Sequence, residues 1–261
     1  MCVLGVRVRR IPFFGILIAQ AEMRISTLDG PSRLVLLDID GTLLRSQGVG
    51  KRTMKEALIA VYGTAGSIDT CAVGGRSYRQ IVDDALSGTE ISQDQISQKW
   101  FSYNEEVARI MKKVVQEEPA WIYPLPGGIA LVDALAHNPM AILGIITGNS
   151  NDASWIKLEH AGYKVDQFKV NVFGDDAITR SGLVTLARQR AEVLTSRSFP
   201  GHNTIIVGDT VNDVECARQT NARSIIVLTG YDTEEELKAS MPDRIFNDLQ
   251  DIESIQKAIL D

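Results

Sequence analysis

Leu34-Val35-Leu36-Leu37-Asp38-Ile39-Asp40-Gly41-Thr42-Leu43 is the stretch whose reading decides the fold. Four consecutive apolar residues running into a polar turn read as a buried strand, with its charged residues emerging at the carboxyl end. Two carboxylates stand there one residue apart, and Gly41 follows where the backbone must come close to something. Such a pair suits phosphoryl transfer. A first Asp can attack phosphorus and form an aspartyl-phosphate, which splits one hard hydrolysis into two easier steps. A second can protonate the leaving oxygen and then take a proton from the attacking water. Phosphate and carboxylate repel each other, so the site needs a cation. Mg²⁺ is the expected cofactor, because it takes oxygen ligands and keeps several waters.

Downstream of this strand the pattern changes. Met54, Leu58 and Val61 recur at helical spacing, and Val73-Gly74-Gly75 opens a second helix through Ile81, Val82, Ala85 and Leu86. Residues 92–116 form a longer amphipathic pattern with room for one break. No strand pattern interrupts this segment, so residues 47–121 are expected to form a small helical cap. It is inserted into a core made of residues 31–46 and 122–261. From Tyr123 onward strands and helices alternate: Ala141–Ile146, Val170–Phe173, Thr204–Val207 and Ser224–Leu228 read as strands. Apolar strands alternating with helices predict an α/β fold with a doubly wound parallel sheet. In such folds ligands bind outside the carboxyl ends of the strands. Asp38 and Asp40, Thr147, and Asp209 with Asp213 all stand at those ends.

Composition sets further bounds. The chain of 261 residues has 44% hydrophobic and 23% charged residues, the balance of an ordinary globular protein. A net charge of −6 without a basic block excludes nucleic acid as the expected partner. Cys2, Cys71 and Cys216 are scattered and give neither a disulfide framework nor a metal motif, as expected of a reducing, cytoplasmic setting. Arg7, Arg9 and Arg10 precede the apolar run Ile11–Ile18 and the signal-peptidase-like Ala19-Gln20-Ala21. That run is too short to span a bilayer, so no membrane partner is expected. Residues 1–30 are read as an extension, disordered or mis-started, with Met23 opening the domain. A secretory signal, and hence export, is the alternative.

These residues resemble a known family. Asp38-Ile-Asp40-Gly-Thr-Leu43, Ile146-Thr147-Gly-Asn149 and Gly208-Asp209-Thr-Val-Asn-Asp213 are similar to the ordered motifs of the haloacid dehalogenase superfamily, closest to its phosphoglycolate-phosphatase-like branch. The resemblance spans about residues 33–255. It implies a Rossmann-like core with a helical cap, and Asp38 as nucleophile with Asp40 as general acid/base. Mg²⁺ would be held by Asp38, the Asp40 backbone carbonyl, Asp209 and Asp213. Thr147 would donate to a phosphoryl oxygen, with Gly41, Thr42, Gly148 and Asn149 around the phosphate.

The same resemblance calls for a basic residue, normally Lys, beside the nucleophile. No Lys lies between Phe173 and Ala187, so Arg180 is expected in that role, with the mid-helix Arg188 and Arg190 as rivals. Arg is not a neutral replacement, because its planar fork favours bidentate contact over a point charge. Gly75 and Arg76 resemble the cap's substrate loop, with Arg76 placed to meet a carboxylate or second phosphate. Tyr78 stands where many relatives carry an acidic residue.

The expected activity is Mg²⁺-dependent hydrolysis of a small phosphomonoester, such as phosphoglycolate or a sugar phosphate, by a monomer or homodimer. A phosphomutase of the same family and a non-catalytic binding regulator are the alternatives. Dehalogenase and phosphonatase readings are disfavoured, because they leave Asp40 and Asp209 without a purpose.

Overall fold

β1 (Arg33–Leu37) is buried along its whole length, and its side chains divide by period two. Leu34 and Leu36 enter the core on one face of the sheet, while Val35 and Leu37 enter the core on the other. Each fully buried Leu or Val contributes ~2 kcal/mol of apolar burial, so a strand loaded on both faces is held centrally. The computed structural model describes residues 33–261. The signal-like run, Met23, Cys2 and the first two residues of the expected core lie outside the described residues.

The sheet has six parallel strands in the order β5 (Val170–Val172), β4 (Ala141–Ile146), β1, β6 (Thr204–Gly208), β7 (Arg223–Val227) and β8 (Arg244–Phe246). One face packs against α4 (Gly128–Ala136) and α9 (Ile252–Leu260) through Leu131, Leu135, Ile255 and Ile259. The opposite face packs against α6 (Arg180–Thr195) and α7 (Val211–Gln219) through Leu183, Val184, Ala187 and Ala217. This is the expected doubly wound sheet. β4 and β6 flank β1, so the carboxyl ends of all three open onto one region. α5 (Asn151–His160) follows β4, and α8 (Glu234–Ala239) precedes β8.

Between β2 (Leu44–Arg45) and β3 (Tyr123–Pro124) lie α1 (Val49–Tyr62), α2 (Tyr78–Leu86) and α3 (Gln93–Glu117). β2 and β3 pair antiparallel, so the two chain crossings into this helical segment are clipped together. α3 runs unbroken and packs on both α1 and α5. A capping box of Ser92 and Gln95 starts it, and a second, of Ser77 and Gln80, starts α2. Helical segment and sheet form one compact unit.

Sequence periodicity overlooked β2, β3 and β8. They are two or three residues long and mostly exposed or half-buried, too short to carry a period-two signal. No helix among the described residues is long and apolar enough to cross a membrane.

Candidate active site

Hydrogen bonding continues past the end of β1, where the Asp38 N–H donates to Val207 O at 2.9 Å. The Asp38 carboxylate is thereby seated between the ends of β1 and β6. Asp209 follows β6 directly, and Asp213 lies in the first turn of α7. Carboxylate oxygens of Asp38, Asp209 and Asp213 lie within 4.8 Å of one another, all three residues buried. Arg180, the first residue of α6, reaches them: its Nη2 lies 3.1 Å from Asp38 Oδ2 and contacts Asp213 Oδ1. Thr179 caps α6 by accepting from the Gly182 N–H, which fixes where Arg180 leaves the backbone.

Three buried carboxylates facing one guanidinium leave negative charge unbalanced. Burial pushes Asp38 up to about 7, with Asp213 and Asp40 adding to the rise and Arg180 opposing it. Asp209 is likewise raised, by burial and by the Asp38 and Asp213 charges. Arg180 is held above its usual range, since Asp213 and Asp38 outweigh the burial that disfavours its charge. The donor set of hard carboxylate oxygens around uncompensated charge fits a divalent cation such as Mg²⁺.

Small residues make room for this cluster. Gly41 adopts φ +91°, and a Cβ there would come 2.2 Å from Asp209 Oδ2. On the other side a Cβ on Gly230 would come 2.1 Å from the same oxygen. Thr42 donates its hydroxyl to Asp209 Oδ1 at 2.8 Å, and Asp213 accepts from the Thr210 N–H and hydroxyl in a capping box at the start of α7. Gly41 and Thr42, expected around the phosphate, both lie against Asp209: one is shaped by its approach and the other bonds it.

Asp40 takes its hydrogen bonds from groups outside the three-carboxylate cluster. Its Oδ1 accepts from Ser46 Oγ at 2.5 Å and Lys157 Nζ at 3.0 Å. Its Oδ2 accepts from Asn149 Nδ2 and Lys157 Nζ, both at 2.8 Å. Burial pushes Asp40 up, but Lys157, Ser46 and Asn149 together hold it below the ordinary carboxylate value. Lys157 is itself 1% exposed; burial pushes its ammonium down, and Asp40 more than offsets this. Thr147 is buried at the end of β4, where its hydroxyl oxygen accepts from Asn149 Nδ2 at 2.7 Å and retains its own proton to donate.

Asn149, Arg76, Gly75 and Gly148, expected at the substrate, line one cavity and also make contacts within the protein. The Asn149 side chain is taken up by Asp40, Thr147 and Lys157. Arg76 pairs with Asp84 at 2.5 Å and donates to Ala72 O, so its guanidinium is committed within the helical segment. Gly75 has φ +63°, and a Cβ on it would come 2.5 Å from Asn212 Cβ, so it packs closely on the loop that starts α7. Gly148 lies against Arg76 O and accepts from the Tyr78 N–H at 2.7 Å, joining the β4 loop to the helical segment. Arg188 bonds Thr204 Oγ1 and Thr220 O, and the half-exposed Arg190 pairs with Asp176; neither touches Asp38.

A cavity of about 390 Å³ opens beside these groups, lined by Asp38, Asp40, Thr147, Arg180 and Asp209 from the sheet side. Met54, Val73, Arg76, Tyr78 and Ile81 line it from the helical segment, and Tyr231 from the loop after β7. The Tyr78 hydroxyl is buried with no partner, near the space above Gly50 that it shares with Lys157 Nζ. Sequence reasoning passed over Lys157, although one signal was available: Ala153, Lys157 and Ala161 fall on one helix face at i, i+4 and i+8. Ser46, Tyr231 and Asp232 carry no comparable signal.

The sequence profile of the haloacid dehalogenase-like hydrolases matches residues 35–227. No curated protein sequence matches the chain. Among solved structures, the chain is similar to a hydrolase from Pseudomonas syringae, with a TM-score of 0.64 and 20% identity, covering 88% of this chain and 100% of that one. It is similar to a predicted phosphoglycolate phosphatase from Haemophilus somnus, with a TM-score of 0.61 and 18% identity over 86% and 98% of the two chains. A mutant of CbbY from Rhodobacter sphaeroides, in complex with xylulose-(1,5)bisphosphate, gives a TM-score of 0.62 and 17% identity over 84% and 96%. At these identities the structural likenesses speak for the fold.

Proposed function

The chain belongs to the haloacid dehalogenase-like hydrolases, and from that premise we propose that it is a Mg²⁺-dependent phosphatase. It hydrolyses a small phosphomonoester through an aspartyl-phosphate on Asp38. The observation that carries this reading is the buried cluster of Asp38, Asp209 and Asp213 against the single cation Arg180, at the wall of the cavity.

Asp38 attacks phosphorus, the ester P–O bond breaks, and the leaving oxygen takes its electron pair and a proton from Asp40. Water then attacks the aspartyl-phosphate, the P–O bond to Asp38 breaks, and Asp40 takes the proton released by the water. Thr147 donates its hydroxyl to a phosphoryl oxygen, and Arg180 offsets charge on Asp38 and the phosphoryl group. The Asp38, Asp209 and Asp213 carboxylates, with the Asp40 backbone carbonyl, would hold the metal. When bound, Mg²⁺ supplies the positive charge that lets an anionic nucleophile and an anionic phosphate share one site.

Residues 47–121 act as a cap over the core of residues 31–46 and 122–261, and the cap residues on the cavity wall select the leaving group. A cavity of about 390 Å³ suits a small metabolite. Phosphoglycolate and sugar phosphates head the candidates, since the named relatives point to both. The free thiols Cys71 and Cys216 fit a reducing, cytoplasmic setting.

The test is phosphate release from a panel of small phosphomonoesters, with Mg²⁺ and with chelator. Mg²⁺-dependent release that vanishes in Asp38→Asn, with the fold retained, is the expected result. Silence across the panel in Mg²⁺, or full activity in Asp38→Asn, would overturn the reading.

A further inference from the structure

Asp40 is held more completely than a proton shuttle requires. A carboxylate offers about four lone-pair sites, and three donors occupy them. Ser46 and Lys157 bind Oδ1, while Asn149 and Lys157 bind Oδ2, so only Lys157 spans both oxygens. The lysine has a third contact, Nζ to Asn149 Oδ1 at 3.0 Å. Asn149 Nδ2 in turn donates to Thr147 Oγ1. One network thus fixes the acid/base group relative to the phosphate donor. Lys157 lies on the buried face of α5 between Ala153 and Ala161, where an unpaired ammonium would not remain.

The contacts differ in where they come from. Lys157 and Asn149 follow β4 at the sheet, whereas Ser46 lies on the loop from β2 into the helical segment. Loss of the Ser46 contact would free a site on Oδ1, while the other two donors would keep the carboxylate in place. A lysine has three donors and no acceptor, so it complements Asp40 as a carboxylate, the form that accepts a proton.

We propose that Lys157 is a positioning residue for the second half-reaction. It holds the Asp40 carboxylate where it receives a proton from the water that hydrolyses the aspartyl-phosphate. In that step the water oxygen bonds to phosphorus and the P–O bond to Asp38 breaks. The electron pair returns to the Asp38 carboxylate, and the water's proton goes to Asp40. The inference rests on the phosphatase reading above, but goes beyond it by separating the two half-reactions.

The separation makes it testable with p-nitrophenyl phosphate, whose leaving group needs no proton, so formation of the aspartyl-phosphate is independent of Asp40. In Lys157→Met, kcat should fall about 100-fold, the scale of general base catalysis. KM should fall in parallel, leaving kcat/KM within about twofold. Acid quenching during turnover at saturating substrate should trap phosphoenzyme at close to one per protein. Lys157→Arg keeps the charge but presents it as a planar fork, so it should also accumulate phosphoenzyme, to a smaller extent; it carries the test if the Met variant does not fold. A loss of kcat/KM without trapped phosphoenzyme, or unchanged kinetics, would overturn the proposal while leaving the phosphatase intact. Absence of turnover in the parent protein would overturn both.

Discussion

Removing divalent metal should make this protein less stable as the pH rises, the reverse of ordinary acid denaturation. The perturbation is chelation, and the group that reports it is Asp38. Burial lifts its carboxyl from 3.8 to about 7. The folded chain therefore binds a proton that the unfolded chain has already lost between about pH 4 and pH 7. Stability rises with pH only where the unfolded state binds more protons, so here it must fall. At ~1.4 kcal/mol per tenfold change, the full span comes to ~4 kcal/mol at Asp38 alone. For a chain of this size that corresponds to a drop in Tm on the order of 10 °C. Asp209 is raised by the same surroundings and acts in the same direction. Asp40 is held low, so the stability it contributes is lost only as the pH falls below about 4, outside the window. Excess Mg²⁺ binds the charged carboxylates and should remove the decline. The assay is thermal unfolding followed by circular dichroism from about pH 4.5 to pH 8, in chelator and in Mg²⁺, with Asp38→Asn as control. A Tm in chelator that is level or rises across that range, or the same slope with and without Mg²⁺, would refute the reasoning.

Two further outcomes follow from the packing. Gly41→Ala forces a residue into φ +91° and sets a Cβ 2.2 Å from Asp209 Oδ2. The conformational cost is ~1 kcal/mol, and the displaced carboxylate should raise the Mg²⁺ concentration for half-maximal activity at least about tenfold; an unchanged Mg²⁺ titration counts against Asp209 as a ligand. Tyr78→Phe deletes a buried hydroxyl that has no partner, so denaturant unfolding should show equal or greater stability, by ~1 kcal/mol. A clear loss of stability would mean that the hydroxyl is satisfied in solution.

What the sequence determined by itself is the part that neighbouring residues encode. The run Leu34–Leu37 is apolar on both faces and reads as a central strand, and the carboxylates placed after it and after Gly208 emerge at strand ends. The doubly wound sheet and the Asp38–Asp209–Asp213 cluster were legible on those grounds. Tertiary structure alone decided which other charges meet. Its place at the helix start singled out Arg180, which reaches Asp38 at the sheet edge, while the mid-helix Arg188 lies two turns along against Thr204 and Thr220. Thr42 and Asn149 read locally as phosphate contacts, and only the fold shows that Asp209 and Lys157 meet their side chains. Lys157 is separated from Asp40 by 117 positions. A lysine in a helix reads locally as solvated, and its burial becomes tolerable only when a distant carboxylate is packed against it. Local propensity is written in adjacent residues, but the electrostatic compensation of a buried charge exists only once the fold has closed around both partners.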